Sequence, residues 1–334
     1  MSSGYNNDKR GDGRGYIYVL DAQTGKILNR FTTNVGTKSD PSGLARISAW
    51  AANGFYDNTS LSVYGGDLKG NVWRVDLNQA KPSTYIATKI ISLVDPSGLA
   101  QPISTRPELG EVNGQRMLYI GTGKNLSASD LADTQKQTIY GIRDDLVNST
   151  TITYARNSAN SQLVQQYLVA MNAGSNRTVC GGTSVATGSA CPTPNSVDLK
   201  TKYGWFIDLP NGGQAGVNGS ERIGGDPQLQ LGSLVFASSI PAALVTCGSG
   251  GYGWVNYVDF ATGGFISSPD NLSNISSERI RTGSPTGANV VQVADGQLRA
   301  NVAISTAAMQ SVTVPTVPSV LSGRRIGWRE LILY

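Results

Sequence analysis

The chain has 334 residues, a formal net charge of +4, 15% charged residues, 40 glycines and no histidine. This turn-rich composition, poor in the Glu, Lys and Leu of surface helices, points to an all-β fold and an extracytoplasmic setting. The scattered positive charge argues against a nucleic-acid partner, the missing histidine rules out a Ser-His-Asp or Cys-His site built from this chain alone, and no apolar run is long enough to span a bilayer as a helix.

Met1 to Tyr5 lacks the charged and apolar regions of a signal peptide and leads directly toward a strand, so the signal of such a protein is expected upstream. The chain then repeats itself. Gly15 to Asp21 reads GYIYVLD and Gly70 to Asp76 reads GNVWRVD; DPSGLA occurs from Asp40 to Ala45 and again from Asp95 to Ala100, and both pairs are 55 residues apart. A period of that size, made of aromatic and β-branched runs between Gly and Asp, is what stacked β-units produce, because one small sheet cannot bury its own faces alone. The expected architecture is one β-propeller domain over residues 1–334.

Along it, LSVYGG (Leu61 to Gly66), RMLYIGTG (Arg116 to Gly123) and SLVFASSI (Ser233 to Ile240) read as first halves of hairpins. Their second halves are GNVWRVDL (Gly70 to Leu77), QTIYGIRD (Gln137 to Asp144) and YGWVNYVDFATGGFI (Tyr252 to Ile266). DAQTGK and DFATGG each place a Thr-Gly turn after a strand, where glycine supplies a positive φ. Residues 147–202 depart from this pattern: they are rich in Ser, Asn, Thr and Gly and carry a helical pattern around Gln162 to Met171. They read as an insertion on a propeller rim, with an unstructured spacer as the competing reading. Cys180 and Cys191 flank a short loop suited to a disulfide in an oxidising compartment, which leaves Cys247 single; three unpaired thiols is the alternative. Further on, NVVQVADGQLRANVAIS reads as a hairpin turned at Asp295-Gly296, and GRRIGWRELILY, from Gly323 to Tyr334, as a closing strand.

Taken in order, SGYNN, GYIYVLDAQTGKIL, YGGDLKGNVWRVDL, QPISTRPEL, LYIGTGKNL, TIYGIRD, GWFIDLP, ERIGGDPQL, LVFASSIP, CGSGGYGWVNYVDFATGG and GRRIGWREL resemble the C-terminal β-propeller of the PilC/PilY family of type IV pilus biogenesis and tip-adhesin proteins. The resemblance implies a partial or open propeller ring lacking its N-terminal blades, with an exposed blade face. It implies a non-enzymatic protein of the bacterial cell surface, outer membrane or pilus tip. Such a protein supports pilus assembly, control of extension and retraction, surface adhesion and twitching motility. Its partners would be minor pilins and the pilus tip, and its adhesion targets host-cell or abiotic surfaces. The competing class is a quinoprotein (PQQ-dependent) dehydrogenase, which shares the Thr-Gly turns but needs a larger complete ring, calcium beside the quinone and a Trp under it.

Family members hold calcium in a DxDxDGxxD loop before the YxGD strand, and here that stretch is AWAANGFYDNTSL, from Ala49 to Leu61. Its candidate ligands are Asn53, Asp57 and Asn58, with a single carboxylate where calcium asks for roughly six to eight oxygens, so no cofactor is expected from this loop. The polar loop Asn6, Asn7, Asp8 and Asp12 is a second candidate. Arg10, Gly11 and Asp12 spell RGD, the integrin tripeptide; shifted by the repeat they fall on Gly65, Gly66 and Asp67, which reads Asp12 as a hairpin turn residue. Tyr18, Trp73, Tyr140, Trp254 and Trp328 recur at hairpin positions and read as blade packing. Asp21, Asp76, Asp208 and Asp259 stand at strand ends as turn acceptors. No acid is paired with a base, so no catalytic residue is assigned.

Overall fold

The computed structural model describes residues 1–5, 10–53, 56–77, 85–146, 161–171, 176–182, 191–210, 219–241, 251–280 and 283–318, with backbone only for 52–53 and for the strand at 323–325. Apart from one short 3₁₀ turn at Ala128–Ala132, the regular structure of the described residues is β. Strands β1 (Tyr16–Leu20) and β2 (Ile27–Thr32) form a two-stranded sheet. A four-stranded antiparallel meander follows: β3 (Ser48–Asn53), β4 (Asp57–Gly66), β5 (Asn71–Asp76) and β6 (Ala87–Ser92).

The third unit runs β7 (Glu108–Val112), β8 (Gln115–Gly121), β9 (Thr138–Asp144) and then β12 (Gly204–Asp208). The fourth is β13 (Gln228–Gln230), β14 (Ser233–Pro241), β15 (Gly251–Asp259) and β16 (Ser277–Ile280). The fifth is the meander β17 (Pro285–Gln292), β18 (Leu298–Ile304) and β19 (Met309–Val314). The turn between β17 and β18 is closed by Gly296 N–H donating to Val293 O, with Gly296 at φ 84°, as the Asp295-Gly296 signal predicts.

The helical pattern around Gln162 to Met171 is not a helix. Leu163–Ala170 is strand β10, which pairs in parallel with β12, and Asn176–Cys180 is β11, which returns antiparallel to β10 and continues onto β16. Leu, Gln and Ala favour a helix locally, but two unfilled sheet edges offer backbone partners that a lone helical turn cannot match. This hairpin from within residues 147–202 therefore joins the outer strands of the third and fourth units into one 11-stranded sheet. At its other end, β20 (Gly323–Arg325) adds antiparallel to β7, so the start of the GRRIGWREL segment does supply a strand to an earlier unit.

The core lies between the units as successive layers, the arrangement of stacked propeller blades. Along β8, Met117 and Tyr119 enter the layer toward the fourth unit while Leu118 and Ile120 enter the layer toward the second, which is the period of two that a strand buried on both faces imposes. Two glycines of the repeat permit the close approach. A Cβ on Gly66 would stand 2.3 Å from Ile103 Cγ2, and one on Gly121 would stand 2.5 Å from Ile223 Cγ2. Ile103 and Ile223 belong to the connectors that lead into the third and fourth units, and their N–H groups donate to Asp67 O and Thr122 O.

Candidate functional site

The Arg10-Gly11-Asp12 tripeptide is exposed at the start of β1. Asp12 Oδ1 accepts from Arg14 N–H at 3.0 Å, and its other oxygen accepts a short hydrogen bond from the Tyr16 hydroxyl. That hydroxyl and the Arg14 N–H hold the Asp12 carboxyl below the usual range. One repeat later, Asp67 accepts from Lys69 N–H in the same way, and also from Asn71 and Trp73 Nε1, but it is buried, and desolvation pushes its pKa up. Asp12 is thus the exposed member of a repeated Asx turn. Beside it lies a surface concavity of about 670 Å³ lined by Ser3, Asp12, Tyr16, Tyr18, Ile27 and Arg30, with the Arg30 guanidinium 4.8 Å from the Tyr16 ring centre.

The calcium candidates sit at the β3–β4 hairpin, where Asn53 and Asp57 are cross-strand partners. Asp57 is exposed, and Thr59, through its side chain and its N–H, holds the carboxyl below the usual range; one oxygen already accepts the Thr59 N–H at 2.8 Å. Asn58 is exposed, while the Asn53 side chain, together with Asn6, Asn7 and Asp8, lies outside the described residues. Among the described residues no three His, Cys, Asp or Glu side chains cluster in a metal-binding group. One carboxylate engaged in its own turn does not fit the oxygen-rich, negatively charged cage that calcium needs.

The strand-end acids are structural acceptors. Asp21 and Asp259 each cap a Thr-Gly turn, Asp76 accepts from Ser62 Oγ and Arg74 Nε, and Asp208 accepts from Thr138 Oγ1 and Gln165 Nε2. Of the aromatic set, Trp73, Tyr140 and Trp254 are buried and Tyr18 half-buried, with Trp328 outside the described residues.

Sequence reasoning missed the buried ion pairs that bolt one unit to the next. Arg74 of the WRVD motif reaches from β5 to Asp144 at the end of β9, Nη1 to Oδ1 at 2.7 Å, and Tyr64 donates to the other Asp144 oxygen at 2.7 Å. Burial and the neighbouring carboxylate drive the Tyr64 hydroxyl pKa far upward, so it stays a donor. Arg177 of β11 donates to both oxygens of Glu221, which also accepts from Ser238 Oγ, and its guanidinium lies 3.4 Å from the Trp254 ring centre. Arg222 is held by the carbonyls of Ser220, Lys124, Asp130 and Asp133, and burial lowers its pKa. The clue available in the letters was a charged residue inside an otherwise apolar strand.

Cys180, buried at the end of β11, is joined to Cys191 by a disulfide. Residues beyond Cys191 run along the hairpin: Gly181 N–H donates to Pro192 O, and Gln166 Nε2 donates both to Asn195 O at 2.7 Å and to Thr262 O at 2.9 Å. Gln166 thereby ties the hairpin to the Thr-Gly turn of the fourth unit. Cys247 lies outside the described residues.

The PilY1 β-propeller domain family matches residues 1–178, just over half of the chain. A type IV pilus biogenesis factor PilY1 homolog of Xylella fastidiosa is 27% identical over 86% of this chain and 19% of its own length. Type IV pilus biogenesis factor PilY1 of Pseudomonas aeruginosa is 26% identical over 74% of this chain and 23% of its own length, so the chain spans about a fifth of these curated relatives. The crystal structure of the Pseudomonas aeruginosa PilY1 C-terminal domain superposes with a TM-score of 0.66 at 19% identity, covering 92% of this chain and 67% of that one, which establishes the shared fold.

Proposed function

The chain belongs to the PilY1 β-propeller family, and from that membership we propose that it is the propeller of a type IV pilus biogenesis factor, acting without catalysis at the cell surface or pilus tip. In this reading it supports pilus assembly, the balance of extension and retraction, surface adhesion and twitching motility, with minor pilins as partners. The observation that carries the reading is the similarity to pilus biogenesis factors across 86% of the chain, well beyond the matched family region.

A scaffold role agrees with how the buried acids are used: Asp144 binds Arg74 and Tyr64, and Glu221 binds Arg177 and Ser238. A carboxylate fixed between blades is a poor proton carrier but a good bolt. The Cys180–Cys191 bridge suits an oxidising compartment. Calcium has no part in this proposal, because the β3–β4 donor set does not suit it.

The test is deletion of the encoding gene and complementation with the intact copy. Loss of sheared surface pilin and of twitching, both restored by complementation, is expected. Unchanged piliation would refute the reading, and a dye-linked, quinone-dependent alcohol oxidation by the purified protein would replace it with the enzyme class.

A further inference from the structure

Three residues at equivalent places in three successive units converge at one end of the inner strands. Arg46, Arg106 and Asp226 each stand two residues before the first strand of a unit, β3, β7 and β13. Strand β7 touches both β3 and β13, so these positions gather around one point. Arg46 Nη2 lies 2.9 Å from Asp226 Oδ1, which also accepts the Arg106 backbone N–H at 2.8 Å. The Arg106 guanidinium is held only loosely, with Nε 3.9 Å from Asp226 Oδ2, and that buried Nε–H has no hydrogen-bond partner. Tyr5 borders the group: its hydroxyl donates to Ser104 O at 2.5 Å, and the charges of Arg46 and Asp226 both act on it.

Two guanidinium groups therefore share one carboxylate. Within this trio the charge is +1, and although Arg106 Nε is itself buried the group opens to solvent, with the Arg46 side chain 61% exposed and that of Arg106 36% exposed. Two other buried arginines have close acceptors, Arg177 in both oxygens of Glu221 and Arg222 in four carbonyls, while the buried Nε of Arg143 lacks one as Arg106 Nε does. A guanidinium held only by a long ion pair, beside a second exposed one, offers the planar donor forks that bind a planar oxyanion.

We propose that Arg46 and Arg106, bridged by Asp226, form an oxyanion-binding site at the end of the inner strands, and that it takes a carboxylate. A monoanion matches the single excess charge and the planar forks, whereas a phosphate dianion would be repelled by Asp226. The site is independent of the pilus assignment: it rests on side-chain geometry alone, and its test reads binding.

The experiment is a nitrogen-detected or TROSY NMR titration of the intact protein with acetate and, separately, inorganic phosphate at constant ionic strength, following the Arg106 backbone N–H and the arginine Nε–H signals. Saturable acetate shifts confined to this group are expected, with phosphate binding more weakly. Arg46→Gln and Arg46→Lys should each weaken acetate binding, Gln by about tenfold. Asp226→Asn keeps an acceptor for the Arg106 N–H but removes the competing charge, so it should strengthen binding. Non-saturable shifts, an Arg46→Gln variant that binds as the parent does, or an Asp226→Asn variant that binds less well would each overturn the site. Phosphate binding tighter than acetate would overturn the carboxylate assignment. Arg46 is exposed, so its variants keep the proposal testable even if Asp226→Asn fails to fold.

Discussion

Asp21 and Asp259 accept the same three hydrogen bonds in the same DxxTG turn, from the N–H two residues on and from the N–H and hydroxyl of the Thr three residues on, yet their carboxyl groups shift in opposite directions. At Asp21 the turn is exposed, and the Thr24 donors lower the pKa; at Asp259 burial is the larger effect and raises it. The turn is the same, and desolvation decides the sign.

A pH titration should separate the two. Asp21 has a folded pKa below its unfolded value, so its contribution to stability is present above the unfolded carboxyl range and is lost as pH falls through the folded pKa. Asp259 has a folded pKa above its unfolded value, so stability declines as pH rises from the unfolded carboxyl range through the folded pKa. Carboxyl carbon shifts followed from acid to neutral pH should place the Asp259 midpoint above that of Asp21; the reverse order would contradict the burial argument.

The repeat glycines make a second prediction. Gly66→Ala and Gly121→Ala drive a methyl into Ile103 and Ile223, and each should cost about 1–3 kcal/mol in denaturant unfolding. Gly224→Ala, with nothing within 4 Å of the added Cβ and no positive φ, serves as the control and should change stability by less than about 0.5 kcal/mol.

Cutting one partner of the Arg74–Asp144 bolt strands the other. Asp144→Ala takes the 2.7 Å partner from a guanidinium only 1% exposed that also pairs with Asp76, and should cost about 3–5 kcal/mol. The double change Arg74→Met with Asp144→Leu should cost less than Asp144→Ala alone, because no buried charge is then left over. A double-mutant cycle by equilibrium unfolding checks this.

Calcium titrated by calorimetry at near-physiological salt should give no stoichiometric micromolar signal, since Asp57 spends an oxygen on its own turn. A tight signal that vanished in Asp57→Ala would show that the β3–β4 hairpin assembles a cage after all.

Much of this architecture could be read from the letters because it is local. The hairpins β4–β5, β8–β9 and β14–β15 announce themselves by alternating apolar runs around glycine turns, and the spacing of Asp21 to Asp76 sets the repeat. Strand β10 reads ambiguously because LVQQYLVA mixes the helix formers Leu, Gln and Ala with the strand formers Val and Tyr. Its conformation is set by β12, whose Gly204 to Asp208 lie opposite Leu163 to Tyr167. The bolts were equally hidden: Arg74 and Asp144 are 70 residues apart, and only the blade stacking brings them together. The same holds for Arg46, Arg106 and Asp226, which look like unrelated charges until their connectors meet.

The β10–β11 hairpin also fixes an order of events during synthesis. It emerges before either of the strands it must lie against: β12 follows some 30 residues after β10, and β16 about a hundred residues after β11. The junction between the third and fourth blades therefore cannot close until the chain has been made through Ile280, whereas β17–β19 pairs its strands with sequence neighbours as soon as they are made and buries one face on Val235, Val255 and Tyr257 of the fourth unit, which precede it. A ribosome-stalled chain ending before β16 would hold the hairpin with its second edge still open, and this is where protease sensitivity of the nascent protein should concentrate.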